Sequence, residues 1–335
     1  MKWVTRPQNV GVLAVGGLLF GGLAYLAADN PTKFFQNFVA GLSLGAIYAL
    51  VCLGFVIIYR ATGLLNFAQV GLVVLGAFVA YNGVATWKLG WWLSLVLAAA
   101  VCGAVGFLFQ RFVMRNMSRA PGFSQILATI GLFLFLQAVV DLIWGGDSAG
   151  GNKVANPWGL TTFQIGDVTL LRIDAVTIGL AALLLFGFFV LFRFTPVGLS
   201  MRAAAIDPEA ALAQGISVNR VVALSWVIGG VAAAIAGTML GSGSTPLVGL
   251  NAAFIALVGL RAFPAMIVGG LDSPGGAVVG GLLIGVIENL ARAYEAQYFP
   301  ALGGQFPSVL PYLVMIAVLL IRPYGLFGTP EVRRI

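Results

Sequence analysis

Two charged side chains within long apolar stretches define the chemistry that this sequence can offer. Arg261 lies inside the apolar residues 252–270, and Glu288, followed by Asn289, lies inside residues 276–292. A charge at the centre of a lipid bilayer costs about 2.5 to 3.5 kcal/mol, so Arg261 is expected to face protein, water or a partner. Two interpretations stay open: a structural Arg261–Glu288 ion pair, and a lining for the path of a polar solute.

A second polar cluster occupies residues 63–71, with the sequence GLLNFAQVG. Asn66 and Gln69 are three residues apart, so on a helix they share one face and can hydrogen-bond across a bundle or to a passing solute. An alternative role for Asn66 is to cap the helix that follows. The candidates for a solute pathway are therefore Asn66, Phe67, Gln69, Arg261, Phe263, Glu288 and Asn289.

Several classes of catalytic chemistry are excluded by composition. The chain has no histidine and only two cysteines, Cys52 and Cys102, which are expected to be packing residues in apolar runs. Haem ligation, histidine acid/base catalysis and Cys/His zinc sites are thereby excluded. The sequence also lacks a G-x-x-x-x-G-K-[ST] phosphate loop. We therefore predict no catalytic residue, no metal and no cofactor bound by this chain; any ATP with Mg must be used by partner subunits.

The overall composition is that of an integral membrane protein, with 60% hydrophobic and 9% charged residues. Long apolar runs favour helices over a barrel. Ten segments are long enough to span a bilayer, or nearly so: 10–28, 35–59, 67–81, 91–112, 123–144, 175–194, 221–243, 252–270, 276–292 and 308–321. The sequence predicts an all-α polytopic protein forming a single domain over residues 1–335. Pro264 and the glycines after it predict that the 252–270 segment is broken or re-entrant.

The distribution of basic residues predicts the orientation. With both termini in the cytoplasm, twelve of the 18 lysines and arginines lie inside and five outside, as the positive-inside rule requires. Residues 1–33 then hold an extra N-terminal span, for which a signal peptide is the alternative. Residues 145–174 form the longest external loop, with room for a small hairpin. The formal charge of +7 is explained by this distribution and indicates no nucleic-acid partner.

Residues 195–220 are the one sizeable polar segment on the predicted cytoplasmic side. They can form a short amphipathic helix in which Asp207 is the N-cap, Pro208 lies in the first turn and Gly215 ends the helix. A helix in this position offers a soluble partner a place to bind. A free amphipathic surface helix is the alternative.

Several stretches of the chain resemble the permeases of the branched-chain amino acid ABC importer family, the LivH type. They are FFQNFVAGLSLGAIYALVCLGFVIIYRATGLLNFAQ, VGLSMRAAAIDPEAALAQGISVNRV, GLRAFPAMIVGGLDSPGGAVVGGLLIGVIENL and RPYGLFG, within residues 34–328. The resemblance implies a multi-pass permease of the bacterial plasma (inner) membrane. It also implies a second permease of the LivM type, two ATP-binding subunits and an external solute-binding protein. The family's coupling segment falls on Arg202, Ala203, Asp207, Pro208, Glu209, Ala210, Ala211, Gly215 and Ile216.

The expected function is ATP-driven import of a small solute, with the chain itself not an enzyme. Branched-chain or other hydrophobic amino acids, amides, urea and aromatic acids are the solute classes in view. The principal alternative is a secondary transporter or channel that works alone. A proton-coupled carrier needs titratable groups along its path, and here Glu288 and Asp141 are the intramembrane candidates.

Overall fold

The computed structural model describes residues 21–22, 25–145, 153–243, 250–298 and 304–329, and these are predominantly helical. Before residue 145 the helices are α1 (Pro31–Thr62), α2 (Ala68–Ala85), α3 (Trp91–Phe109, continued by a π-helical turn Gln110–Met114) and α4 (Gly122–Trp144). After it come α5 (Arg172–Phe194), α6 (Pro196–Ile206), α7 (Pro208–Ala213), α8 (Val218–Ser242), α9 (Ala252–Gly269), α10 (Pro274–Tyr298) and α11 (Phe306–Ile321).

Eight helices in the described part of the chain are long and apolar enough to cross a bilayer: α1, α2, α3 with its π-helical turn, α4, α5, α8, α9 and α10. The predicted segment 308–321 falls in α11, which is apolar but only 16 residues long. Most of the predicted N-terminal span 10–28 lies outside the described residues. The polytopic all-α prediction is confirmed at this level.

The longest helix, α1, forms the axis of the bundle and packs against α5, α8, α9 and α10. Its sequence defines both ends. The Asn30 side chain accepts a hydrogen bond from the Lys33 amide, with Pro31 in the first turn, and Gly63 ends the helix at a φ of 71°. At 1.5 Å per residue the 32 residues extend about 48 Å, longer than the hydrocarbon core of a bilayer.

The prediction of a broken segment at Pro264 was wrong, because α9 continues unbroken through this residue from Ala252 to Gly269. Pro264 lacks the amide hydrogen that would bond the Leu260 carbonyl, but membrane helices tolerate a proline where neighbouring helices surround it. Pro264 is buried, and α1 contacts the same helix through a hydrogen bond from the Cys52 thiol to the Ala262 carbonyl at 3.1 Å. The chain reverses later, at Gly270, whose φ of 113° is accessible to glycine.

Residues 162–171 form the small hairpin that the sequence allowed between residues 145 and 174. Strands β1 (Thr162–Ile165) and β2 (Val168–Leu171) pair antiparallel, and Ile165 opposes Val168 across a two-residue turn. Gly166, the first turn residue, has a φ of 60°, which suits the glycine-first turns of hairpins. The hairpin leads directly into α5.

Glycines bring α1 and α10 into backbone contact. A methyl group placed on Gly45 would lie 2.7 Å from the Leu282 Cα, and one placed on Gly285 would overlap the backbone of Gly45. Lipid tails are as apolar as the side chains, so the hydrophobic effect contributes little to helix association in a membrane. Close packing between small residues stabilises the contact instead. The two helices therefore depend on small residues at this crossing.

Gly285→Leu should separate α1 from α10 and lower the free energy of unfolding by about 1–3 kcal/mol or more, the usual cost of overpacking. The matched control is Gly187→Leu in α5, where nothing lies within 4 Å of an added Cβ. Thermal unfolding and size-exclusion chromatography in detergent measure both variants. Equal stability of the two would contradict the packing role of Gly285.

Candidate functional site

The carboxylate of Glu288 lies at the centre of a buried polar network. Its Oε1 accepts hydrogen bonds from Arg261 Nη1 at 2.7 Å and from Arg292 Nη2 at 2.9 Å, and its Oε2 accepts one from the Tyr48 hydroxyl at 2.7 Å. Arg261 Nη2 also donates to Ser308 Oγ at 2.9 Å. These five residues, the Glu288 network, connect α1, α9, α10 and α11.

The structure contains the Arg261–Glu288 ion pair, one of the two interpretations that the sequence left open, and it is largely shielded from solvent. The Glu288 side chain is fully buried, while those of Arg261 and Arg292 are 11% and 28% exposed. An unpaired charge in such a place is costly, so two guanidinium groups and a phenol compensate the carboxylate. Two arginines and one glutamate leave the network with one formal positive charge.

Sequence reasoning missed three members of this network. Arg292 lies four residues after Glu288, so helical spacing alone places the two on one face and could have identified it. Tyr48 and Ser308 come from helices distant in sequence, and no local signal joins them to Glu288.

Beside the network lies a cavity of about 270 Å³ between α1, α5, α8 and α10, here called the Asn289 cavity. Its polar lining residues are Asn37, Ser43, Asp174, Thr177, Asn289 and Arg292. Its apolar lining includes Leu44, Ile47, Met239 and Leu240. The cavity thus offers a guanidinium, a carboxylate, amides and hydroxyls opposite an aliphatic wall.

Asn289 and Arg292 connect the cavity to the rest of the bundle. The Asn289 amide donates to the Asn37 carbonyl at 2.7 Å, which joins α10 to α1 at the cavity wall. Arg292 reaches Glu288 with one nitrogen and lines the cavity at the same time. A charged group entering the cavity would therefore interact electrostatically with the Glu288 network.

The remaining pathway candidates lie apart from this cavity, in the core. Phe263 of α9 stacks on Phe67 with a centroid distance of 5.6 Å and meets Phe55 of α1 edge-on at 6.0 Å. None of Asn66, Phe67, Gln69 and Phe263 lines the Asn289 cavity. The seven candidates therefore form two groups.

Asn66 and Gln69 do not share a helix face as expected, because α2 begins only at Ala68. The Asn66 side chain instead accepts a hydrogen bond from the amide of Ala68, the first residue of α2, at 3.1 Å, while the N-cap position itself is Phe67. Gln69 is fully buried and donates to the Gly229 carbonyl of α8 at 3.0 Å. Asn66 Nδ2 and Gln69 Oε1 are buried with no hydrogen-bond partner among the described residues.

The 195–220 segment contains two short helices rather than one. The Thr195 side chain caps α6, and the Asp207 side chain caps α7 by accepting from the amides of Glu209 at 3.0 Å and Ala210 at 2.9 Å. Asp207 is extended, as expected for a residue before proline, and this interrupts the helix. Gly215, with a φ of 81°, ends α7 as predicted.

One face of this segment is anchored to the bundle. Met201, Ala204 and Ala211 are buried in a cluster with Leu53 and Ile57 of α1. The Arg202 guanidinium donates to the Phe192 carbonyl and lies 5.5 Å from the Phe192 ring centroid, so it joins α6 to α5.

The opposite face of the segment is open. Ile206 is 83% exposed and Leu212 is 58% exposed, and Glu209, Ala210 and Gly215 are also exposed. Two large aliphatic side chains beside a carboxylate form a surface suited to contact with another protein.

Arg261→Met should destabilise the bundle by about 3 kcal/mol, because it removes one of two cations from a buried carboxylate. The matched control is Arg119→Met, since Arg119 is exposed. Thermal unfolding in detergent compares the two. An unchanged midpoint for Arg261→Met, accompanied by reduced transport, would contradict the structural role and favour the pathway interpretation.

Comparisons with known proteins agree with this architecture. The family model described as "Branched-chain amino acid transport system / permease component" matches residues 37–320. The high-affinity branched-chain amino acid transport system permease protein LivH of Escherichia coli (strain K12) is 30% identical over 314 residues, 90% of this chain and 98% of LivH. The corresponding permease protein BraD of Pseudomonas aeruginosa is 30% identical over 319 residues, again 90% of this chain and 98% of the relative.

A solved structure shows the same fold. PsaBC from Streptococcus pneumoniae in complex with Fab aligns with a TM-score of 0.50 at 12% identity, covering 92% of this chain and 98% of the other. At that identity the likeness concerns the fold alone. The apolar helices and these relatives together make the chain a multi-pass membrane protein. It belongs to the family of branched-chain amino acid transport system permease components.

Proposed function

We propose that this chain is the permease subunit of an ATP-binding cassette importer of the bacterial inner membrane, for a hydrophobic amino acid or a related small solute. One observation carries the proposal: a single helix, α1, lines the Asn289 cavity and also anchors the 195–220 segment. Ser43 at the cavity and Ile57 at the segment are 14 residues apart, or about 21 Å along the helix.

The proposed orientation follows from charge. The end of the bundle that carries Arg60, Arg202 and Arg220 faces the cytoplasm, and the Asn289 cavity opens outward. Residues 195–220 then form the coupling segment, and residues 145–174 the external loop. Both termini are cytoplasmic, residues 34–328 form the permease core of a single domain, and residues 1–33 add a span.

The lining of the Asn289 cavity supports an amphiphilic solute. Arg292 suits a carboxylate, Asp174 suits an ammonium group, and Leu44 and Met239 suit an aliphatic side chain. A zwitterionic amino acid with an apolar side chain has these three features. Amides, urea and aromatic acids share only some of them and remain weaker candidates.

The proposed partners are those of the family, and the open face of the 195–220 segment offers one of them a contact surface. Two ATP-binding subunits, which use ATP with Mg, would hold Ile206, Leu212 and Glu209 and move the segment as a rigid lever. A second permease of the LivM type and an external solute-binding protein complete the importer. The rival function, a transporter or channel working alone, gives no role to the exposed aliphatic surface of the 195–220 segment, formed by Ile206 and Leu212.

Uptake into proteoliposomes tests the function. Leucine uptake should require the second permease, the ATP-binding subunits, ATP and the external binding protein together. Omitting ATP is the control within each preparation, and excess valine, urea and benzoate are competitors that rank the solute classes. Solute uptake by this chain alone would contradict the proposal and favour the stand-alone transporter.

Gly215→Pro should abolish transport and uncouple solute-stimulated ATP hydrolysis, because proline cannot adopt the positive φ that ends α7. Gly159→Pro is the matched control: this glycine also has a positive φ, of 54°, but lies outside the 195–220 segment.

Glu209→Arg should likewise abolish transport and uncouple ATP hydrolysis, because it reverses an exposed charge on α7. Normal transport and normal solute-stimulated ATP hydrolysis in both Gly215→Pro and Glu209→Arg would contradict the proposed coupling role of residues 195–220.

A further inference from the structure

A second cavity, of about 360 Å³, lies between the π-helical turn after α3 and the start of α8. Its lining includes Arg111, Arg115 and Arg220, with Gln110 and Ser217 beside them, and this set of lining residues contains no acidic side chain. We call it the arginine cavity. The residues Ser217 and Arg220 also line a neighbouring cavity against Gln214 and Gly215 of the 195–220 segment.

The three arginines of the cavity are exposed, and each lines it. Arg111 and Arg115 are four residues apart, and the π-helical turn between them is closed by a hydrogen bond from the Arg115 amide to the Gln110 carbonyl at 2.9 Å. Neither they nor Arg220 form an ion pair with any acidic group in the described ranges.

Gln110 adds a polar side chain to the lining of the cavity. Only 3% of this residue is exposed, and it lies one position before Arg111. Its side-chain amide can donate a hydrogen bond to a ligand with acceptor oxygens.

The start of α8 adds a further attraction for an anion. Ser217 is the N-cap residue, but its side chain makes no capping hydrogen bond, and the first turn of α8 has no acidic residue. The N-terminus of a helix carries a partial positive charge and free backbone donors. Together with the arginines, these features suit a phosphate group.

The surroundings of the cavity distinguish a lipid from a free ion. Phe107 lines the cavity and is 43% exposed, and Leu108 and Phe112 continue an exposed apolar surface on the same helix. Acyl chains can lie on this surface while the headgroup occupies the cavity. Basic pockets between membrane helices bind anionic headgroups in this manner.

We propose that the arginine cavity binds the phosphodiester headgroup of an anionic phospholipid, next to the 195–220 segment. Arg111, Arg115 and Arg220 hold the phosphate, Gln110 and Ser217 donate hydrogen bonds, and Phe107 contacts the acyl chains. This site is independent of the solute path, so its test does not depend on transport.

The test compares lipid retention by two charge-matched variants of the full chain, purified with any copurifying subunits. Native mass spectrometry measures binding of phosphatidylglycerol against phosphatidylcholine. Arg111→Gln with Arg220→Gln should weaken phosphatidylglycerol retention by at least about tenfold, since each arginine contributes to anionic-lipid binding. Arg119→Gln with Arg193→Gln, which removes the same charge outside the cavity, should leave it unchanged.

Two further measurements test whether the cavity itself binds the lipid and whether the ligand is a lipid or free phosphate. Ala223→Trp fills the cavity without changing its charge and should also reduce retention. Displacement of the lipid by millimolar inorganic phosphate would overturn the lipid assignment in favour of a free anion. An equal loss of phosphatidylglycerol in both double variants would overturn the lipid site. So would a cavity variant that retains the lipid but loses the ATP-binding subunits, because the arginines would then contact a protein partner.

Discussion

Four helices meet at one buried carboxylate. Glu288 accepts hydrogen bonds from Arg261, Arg292 and Tyr48, and Arg261 extends the network to Ser308. In an apolar surrounding, a charge without partners is costly, so each of these contacts restricts the position of the helix that supplies it. The shape of the Asn289 cavity depends on the same constraint, because Arg292 belongs to both.

The network requires close helix packing, and the glycines provide it. Gly45 lies three residues before Tyr48 on α1, and Gly285 lies three residues before Glu288 on α10. Their backbones touch, so the phenol and the carboxylate one turn further on come within 2.7 Å. Lipid provides little hydrophobic driving force for this association, which makes small residues and polar contacts the principal means of specifying it.

The two ends of α1 contact different parts of the protein. One end contributes Asn37, Ser43 and Leu44 to the Asn289 cavity, and the other contributes Leu53 and Ile57 to the cluster beneath the 195–220 segment. A rigid helix transmits a displacement along its length, so movement of the segment and a change of the cavity can be coupled. The proposed lipid site adjoins the same segment through Ser217 and Arg220.

The sequence by itself determined the helical membrane class, the Asp207 cap and the Gly215 stop. These follow from composition and from local backbone preferences, which do not depend on distant parts of the chain. The sequence left the Arg261–Glu288 ion pair as one of two interpretations, and the tertiary structure showed the pair. The continuity of α9 through Pro264 was decided by tertiary structure, where neighbouring helices surround the proline. The Tyr48 and Ser308 contacts and both cavities were also decided there, because they arise where helices from different parts of the chain approach one another.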